Sequence, residues 1–304
     1  MKAALALVVV LAVAVPASAG QPPTLADLLA HVGKYVRGFQ HDFATVLSDE
    51  SYQQKEMYSS RIAGKEKVTR AERAMQSEML FLWLPEEREW LAVRNVLSVD
   101  RKAVPDSRAR LEQWLANSTP GAMGRLRNLR DEGARFNIGR LGRNLSDPTL
   151  ALKVVDPAYQ SRFDFTLDGS ELINGIAVVK LAFIEREQTP TMISVDGHAV
   201  TSKGAIWATP SGIVMRTRLE LTDPRTLIDA SMLVFYGRDG KLGGWLPVRM
   251  EEEYSQHAEQ PTVAPFVNGQ NVVVANGYRE TVTCSASYTN YRRFETSARI
   301  VPPK

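Results

Sequence analysis

The stretch Ile213-Val214-Met215-Arg216-Thr217-Arg218-Leu219-Glu220-Leu221 decides the architecture. Ile213, Met215, Leu219 and Leu221 are apolar and alternate with Val214, Arg216, Arg218 and Glu220. A period of two belongs to a strand with one buried face and one wet face. The alternation returns in Leu246, Val248, Met250 and Tyr254, set against Arg249, Glu251 and Glu253. Thr209-Pro210-Ser211-Gly212 and Gly237-Arg238-Asp239-Gly240 are turn signals next to these strands. Strands joined by such short turns run antiparallel. Residues 160–294 hold about seven strands on this pattern and no crossover helix. The polar segment 256–278, marked by Pro, Asn and Gly, reads as a long loop.

Upstream, residues 42–99 are also strand-rich. Met79–Leu84 and Trp90–Val93 flank Pro85-Glu86-Glu87-Arg88, a hairpin signal. Before them, Thr24 opens a helix with Asp27 in capping-box position. Leu25, Leu28, Leu29, Val32, Val36 and Phe39 form its one apolar face. Two more helices follow the hairpin. Asp106 caps one that runs over Leu111, Trp114 and Leu115. Thr119 caps the other, with Pro120 at its first position, and it reaches about Phe136. A long antiparallel meander with one apolar face must share its core with these three helices. The expected fold is α+β: a strongly curved antiparallel sheet, an open half-barrel, with helices on or across the concave face. A plain two-layer α+β sandwich is the alternative.

Residues 1–19 carry the marks of a signal peptide. Lys2 is the basic start, Ala3 to Val15 the apolar run, Pro16 the break, and Ala17-Ser18-Ala19 the small-residue cleavage site. The apolar run of 13 residues is shorter than the roughly 20 that cross a bilayer. The expectation is an exported chain, periplasmic or secreted, with residues 20–304 as a single half-barrel domain and no membrane span after cleavage. The single Cys284 cannot form an internal disulfide and sits on the apolar side of an alternating strand. A net charge of +3 is too small to imply a nucleic-acid partner.

Chemistry-bearing motifs are scarce. His31, His41, His198 and His257 form no metal-binding spacing, and no G-x-S-x-G elbow or phosphate loop is present. No catalytic, cofactor or metal residue is assigned. Glu86-Glu87-Arg88-Glu89 and Glu251-Glu252-Glu253 read as solvated edges. Arg125, Arg127, Arg130, Arg135, Arg140 and Arg143 form the most basic stretch. It is either a solvated helix face or a seat for an anionic partner such as a lipid headgroup.

Two stretches carry a family resemblance: Leu29 to Tyr52, passing through Phe39-Gln40-His41-Asp42-Phe43, and Ile206-Trp207-Ala208-Thr209-Pro210-Ser211-Gly212-Ile213-Val214-Met215-Arg216. With the exported helix-then-strand order, they resemble the LolA/LolB-type lipoprotein-carrier superfamily. The chain also resembles a group of exported bacterial proteins without an assigned function. This chain is longer than such a carrier and has Thr209 where the family more often has Asp. The resemblance implies a half-barrel that cradles an apolar ligand under a helical lid, and no ligand contact is carried over. The first functional expectation is therefore non-enzymatic binding of a lipid, acyl chain or lipoprotein segment. An envelope interaction or scaffold module comes second. A hydrolase of an envelope polymer, pairing for instance His198 with Glu251, comes third.

Overall fold

The structure is a computed structural model that describes residues 23–62, 65–84, 89–107, 109, 111, 128, 130–143, 146–186, 191–193, 199–258, 262–267, 270–275 and 277–293. The signal segment, the turn at 85–88, Trp114, Leu115, Thr119, Pro120, Arg125, Arg127 and His198 lie outside the described residues.

The chain begins with α1 (Leu25–Asp42), then β1 (Thr45–Ile62), β2 (Lys65–Leu84), β3 (Glu89–Val99) and β4 (Lys102–Ala103). Further along come α2 (Leu152–Val155) and a single 3-10 turn, Gln160–Arg162. The rest is strand: β5 (Phe163–Ile173), β6 (Ile176–Glu185), β7 (Met192–Ile193), β8 (Ala199–Ala208), β9 (Val214–Asp223) and β10 (Ile228–Arg238). β11 (Trp245–Ala258), β12 (Thr262–Val267), β13 (Gln270–Ala275) and β14 (Tyr278–Arg293) complete it.

One antiparallel sheet runs in the order β4-β3-β2-β1-β14-β11-β10-β9-β8-β6-β5, with β7 beside β8. It does not close, so the expected open half-barrel is found. Two meanders make it up, β1–β4 and β5–β11. β14 joins them by lying between β1 and β11. Its pairing with β1 links positions as distant as Tyr52 and Ala286. At the outer edge, β5 carries a bulge between Leu167 and Ser170, a device that interrupts edge pairing.

The segment 256–278 is not one loop. β11 extends to Ala258, and β12 pairs with β13 in a separate two-stranded ribbon. The β-branched residues Thr262, Val263, Val267 and Val272 to Val274 lie on either side of Asn268-Gly269, the strongest short hairpin signal. Pro265 masked that pattern, but a ribbon with two free edges tolerates a proline.

The helices cover the inner face of the sheet. Asp27 N–H donates to Thr24 Oγ1 at 3.2 Å and Thr24 N–H returns to Asp27 Oδ2 at 3.3 Å, the expected capping box. Leu28, Val32, Val36 and Phe39 are buried. Gly33 allows α1 to sit close, since a Cβ there would come within 2.8 Å of Pro157 Cγ. α1 runs across one end of the half-barrel. His31 Nδ1 lies 2.8 Å from Pro210 O in the β8–β9 turn, and the Tyr35 hydroxyl donates to Trp245 O at 3.2 Å, where β11 starts. Phe39 meets Trp90 edge-on near the start of β3, ring centres 5.4 Å apart. The opposite end is covered by residues 130–143. There Gln54 Nε2 donates to Phe136 O at 3.2 Å and Glu280 Oε1 accepts the Arg140 N–H at 2.6 Å. Between them, Tyr236 donates to Pro148 O at 2.9 Å.

One helical piece lies on the other face. Helical geometry starts at 107, beside Asp106, and Leu111 packs with Leu47, Leu80, Leu82, Leu84, Leu91 and Val93. These side chains alternate with the inward ones on β1, β2 and β3, so this end of the sheet is covered on both sides. Among the described residues, no helix is long and apolar enough to cross a membrane.

Candidate functional site

An apolar ligand would occupy the inner face. Its floor includes Met75, Met79, Met232 and Met250, all buried. Methionine is flexible and fills irregular space, as a lipid seat requires. The floor is already occupied, however. A cavity of about 10 Å³ lies against Leu219, Met232 and Tyr254, and one of about 40 Å³ against Trp83, Trp90 and Thr149. Spaces of this size hold about one or two waters, not an acyl chain.

The middle of the inner face is polar. On β1 the inward-facing buried residues include Val46, Ser48, Glu50, Tyr52 and Gln54, so an acid and an amide point into the core. The Arg94 guanidinium clasps the Glu50 carboxylate through Nε at 2.6 Å and Nη2 at 2.9 Å. It also stacks over the Tyr52 ring at 3.9 Å. Burial works against the charge on Arg94, but Glu50 outweighs it and holds the guanidinium more firmly protonated than usual. The Tyr52 and Tyr254 hydroxyls donate to the two oxygens of Glu252 at 2.7 and 2.6 Å. Burial first, and Glu252 second, push both phenols well above their ordinary value.

Arg143 closes the belt. It donates to Cys284 Sγ at 2.9 Å, to Gln54 Oε1 at 2.8 Å and to Ile138 O at 2.6 Å. Burial raises the Cys284 thiol to about 11, helped by Glu252 and opposed by Arg143. It is a protonated, sealed thiol, not a nucleophile. The belt joins β1, β3, β11 and β14 to the 130–143 segment.

Several sequence expectations change here. Glu251-Glu252-Glu253 is not a uniformly solvated edge: Glu252 is buried, because the middle residue of a strand triplet faces opposite to its neighbours. Of the arginine stretch, Arg143 is buried and Arg140 stacks over the Tyr58 ring at 4.2 Å, while Arg135 is exposed. Arg143 is thus unavailable to an anionic partner. His31, His41 and His257 are exposed and separate, and the described residues contain no group of three or more metal-ligating side chains. The sequence missed Glu50, in a stretch polar on both faces, and Arg94, a single charge within the apolar run Trp90–Val99.

The outer face offers a larger space. A polar groove of about 420 Å³ is lined by Gln53, Lys55, Thr283, Ser285, Glu251 and Glu253, among others.

No family model and no curated protein matches the sequence. Solved structures do resemble the fold. One is a DUF1329 family protein from Desulfovibrio piger, 12% identical over 88% of this chain and 93% of that one, with a TM-score of 0.26. Another is a putative outer membrane lipoprotein-sorting protein domain from Vibrio parahaemolyticus, 11% identical over 82% and 87%, TM-score 0.26. A third is a chain of the Pseudomonas aeruginosa MucA/MucB complex, 11% identical over 89% and 99%, TM-score 0.20. The resemblance to a lipoprotein-sorting domain therefore appears in the structure as in the sequence. At such TM-scores it carries no weight for function, which rests on this chain's own residues.

Proposed function

We propose that the protein is an exported, non-enzymatic carrier whose apolar seat is held by α1 until a lipid displaces it. The observation that supports this reading is the placement of α1. It is an amphipathic helix lying across one end of an open half-barrel, with Leu28, Val32, Val36 and Phe39 sunk into the seat. Burying each of these side chains contributes about 1.5–3 kcal/mol, so lifting the helix costs about 6–12 kcal/mol. An acyl chain of about 14 methylenes returns about 11 kcal/mol at about 0.8 kcal/mol each. One chain roughly balances the helix. The ligand class is therefore a molecule with two or more acyl chains, such as a diacyl lipid or the acylated end of a lipoprotein.

Native mass spectrometry on protein from its own exported fraction tests this directly. A stoichiometric multi-acyl adduct is expected. A clean apo mass, with no uptake of offered diacyl lipids, overturns the reading. The filled inner face favours the second reading, an envelope interaction module with a permanently packed core, and the clean mass would leave that one standing.

A further inference from the structure

We propose that the acylated ligand carries a primary ammonium group, and that Asp156 at the rim of the seat receives it once α1 has lifted. This assignment rests on the carrier reading and adds to it the charge of the ligand's polar end. The site is the cavity of about 40 Å³ beside Trp83 and Trp90, which Gln40, Asp147, Lys153 and Asp156 also line. It is too small for an acyl chain but admits an ammonium group, which is close to a water molecule in size.

Three elements build the cavity. Gln40 comes from the last turn of α1, next to Phe39, which is sunk into the seat. Trp83 and Trp90 are paired across β2 and β3, with ring centres 5.4 Å apart. Asp156 caps the end of α2, whose Leu152, Val154 and Val155 are fixed in the core. Two of the three walls therefore stay in place when α1 moves.

Asp156 is the feature that calls for a cation. It is only 3% exposed. Oδ2 accepts from Gln40 Nε2 at 2.6 Å and Oδ1 from the Ala158 N–H at 2.9 Å, both neutral donors. Among the described residues no cation pairs with it, and Lys153 Nζ lies instead over the Tyr159 ring at 5.0 Å. A buried carboxylate without a cation is costly. The cost rises when α1 lifts, because Gln40 leaves with the helix and Oδ2 loses its donor. Acyl chains cannot replace that donor. A primary ammonium can, with three N–H groups and a positive charge.

The rest of the cavity suits the same group. Indole rings attract cations, and two of them line the space. Asp147 adds a second carboxylate, its Oδ1 accepting from the Thr149 N–H and hydroxyl. The Trp90 indole N–H is buried with no acceptor among the described residues, so it is available to an oxygen beside the ammonium. Two ligands share this chemistry: a phospholipid with an ethanolamine headgroup, and a diacylated lipopeptide with a free α-amine.

The test is a loading competition on the mature chain. The protein is incubated with vesicles holding equal amounts of dioleoyl phosphatidylethanolamine and its N-acetylated form, re-isolated by gel filtration, and its bound lipid counted by mass spectrometry. A second pair, a dipalmitoyl lipopeptide with a free α-amine and its N-acetylated form, distinguishes the two sources. At least one free-amine ligand is expected to load about tenfold or more over its acetylated partner, the size of one charge-assisted hydrogen bond. The pair that shows the preference names the source. In D156N the preference should largely vanish. Equal loading within both pairs overturns the assignment and leaves the carrier reading standing, whereas no loading of any of the four overturns both. An undiminished preference in folded D156N also overturns the assignment, since the ammonium would then sit elsewhere. Should D156N not fold, W83L replaces it, and the same fall in preference is required.

Discussion

Replacing Arg94 with methionine should be among the most damaging single changes in the inner face. Arg94 and Glu50 are both buried, their side chains 7% and 0% exposed. The guanidinium supplies two hydrogen bonds to the carboxylate and covers the Tyr52 ring. R94M preserves most of the aliphatic volume but leaves Glu50 in the core without a cation. Removing one partner of a buried pair costs about 3–5 kcal/mol. That is a large share of the roughly 5–15 kcal/mol that holds a typical domain folded. The second half of the prediction concerns the pair itself. Replacing both charges by apolar groups of similar size is often neutral, because the desolvation cost disappears with the attraction. E50L/R94M should therefore recover most of the loss. The assay is urea unfolding followed by tryptophan fluorescence and far-UV circular dichroism, with the denaturant slope compared across the three proteins. The reasoning is refuted if R94M loses less than about 1 kcal/mol, a size typical of exposed pairs. It is also refuted if E50L/R94M is as unstable as R94M, since the cost would then not come from an unpaired charge.

Further outcomes follow from four single positions. The Cys284 thiol titrates at about 11 in the folded chain against 9.0 in the reference state, so the unfolded chain gives up its proton first. Stability is then full below about pH 9 and falls as pH rises through about 11, by about 3 kcal/mol in all. C284A should flatten the early part of that fall in pH-dependent urea titrations, and native Cys284 should resist iodoacetamide at pH 8 until urea is added. In β8, a Cβ on Gly204 would run into the Arg218 carbonyl and lie 2.8 Å from Phe183 Cζ, so G204A should destabilise by about 1–3 kcal/mol. Gly38 on α1 has nothing within 4 Å of that position, so G38A should instead stabilise by about 0.5–1 kcal/mol, and thermal melts of the two variants should move in opposite directions. T24A removes the cap of α1 and should cost about 1 kcal/mol. In the carrier reading it should also quicken lipid uptake in a fluorescent-lipid transfer assay, and unchanged uptake would separate helix stability from ligand entry.

What the sequence showed plainly were the elements whose signals are local. The capping box at Thr24 and Asp27, the hairpin between Leu84 and Glu89, and the alternation through Leu219 and Leu221 are each complete within a few residues. The polar belt had no such signal. In Ser48-Asp49-Glu50-Ser51-Tyr52-Gln53-Gln54 both alternating faces are polar, so period alone cannot say which one is buried. The face is set by β14, some 230 residues away in sequence, which brings Cys284, Ala286 and Tyr288 beside Gln54, Tyr52 and Glu50. This belt also limits where a lipid could lie. Acyl chains placed over Glu50, Arg94, Glu252 and Arg143 would strip these groups of their partners and leave charges buried without compensation. The α1 end of the face, floored by Met79, Phe81 and Val234, has Asp156 as its buried charge, held by Gln40 Nε2 of α1 at 2.6 Å and by the Ala158 N–H at 2.9 Å, which stays when α1 lifts. In the proposed carrier the helix that yields is therefore α1, while the 130–143 segment stays fastened through Arg143 to Gln54 and Cys284. Hydrogen exchange on the lipid-loaded protein should accordingly quicken across 25–42 and leave 130–143 unchanged. Faster exchange in 130–143 instead would place the opening at the wrong end of the half-barrel.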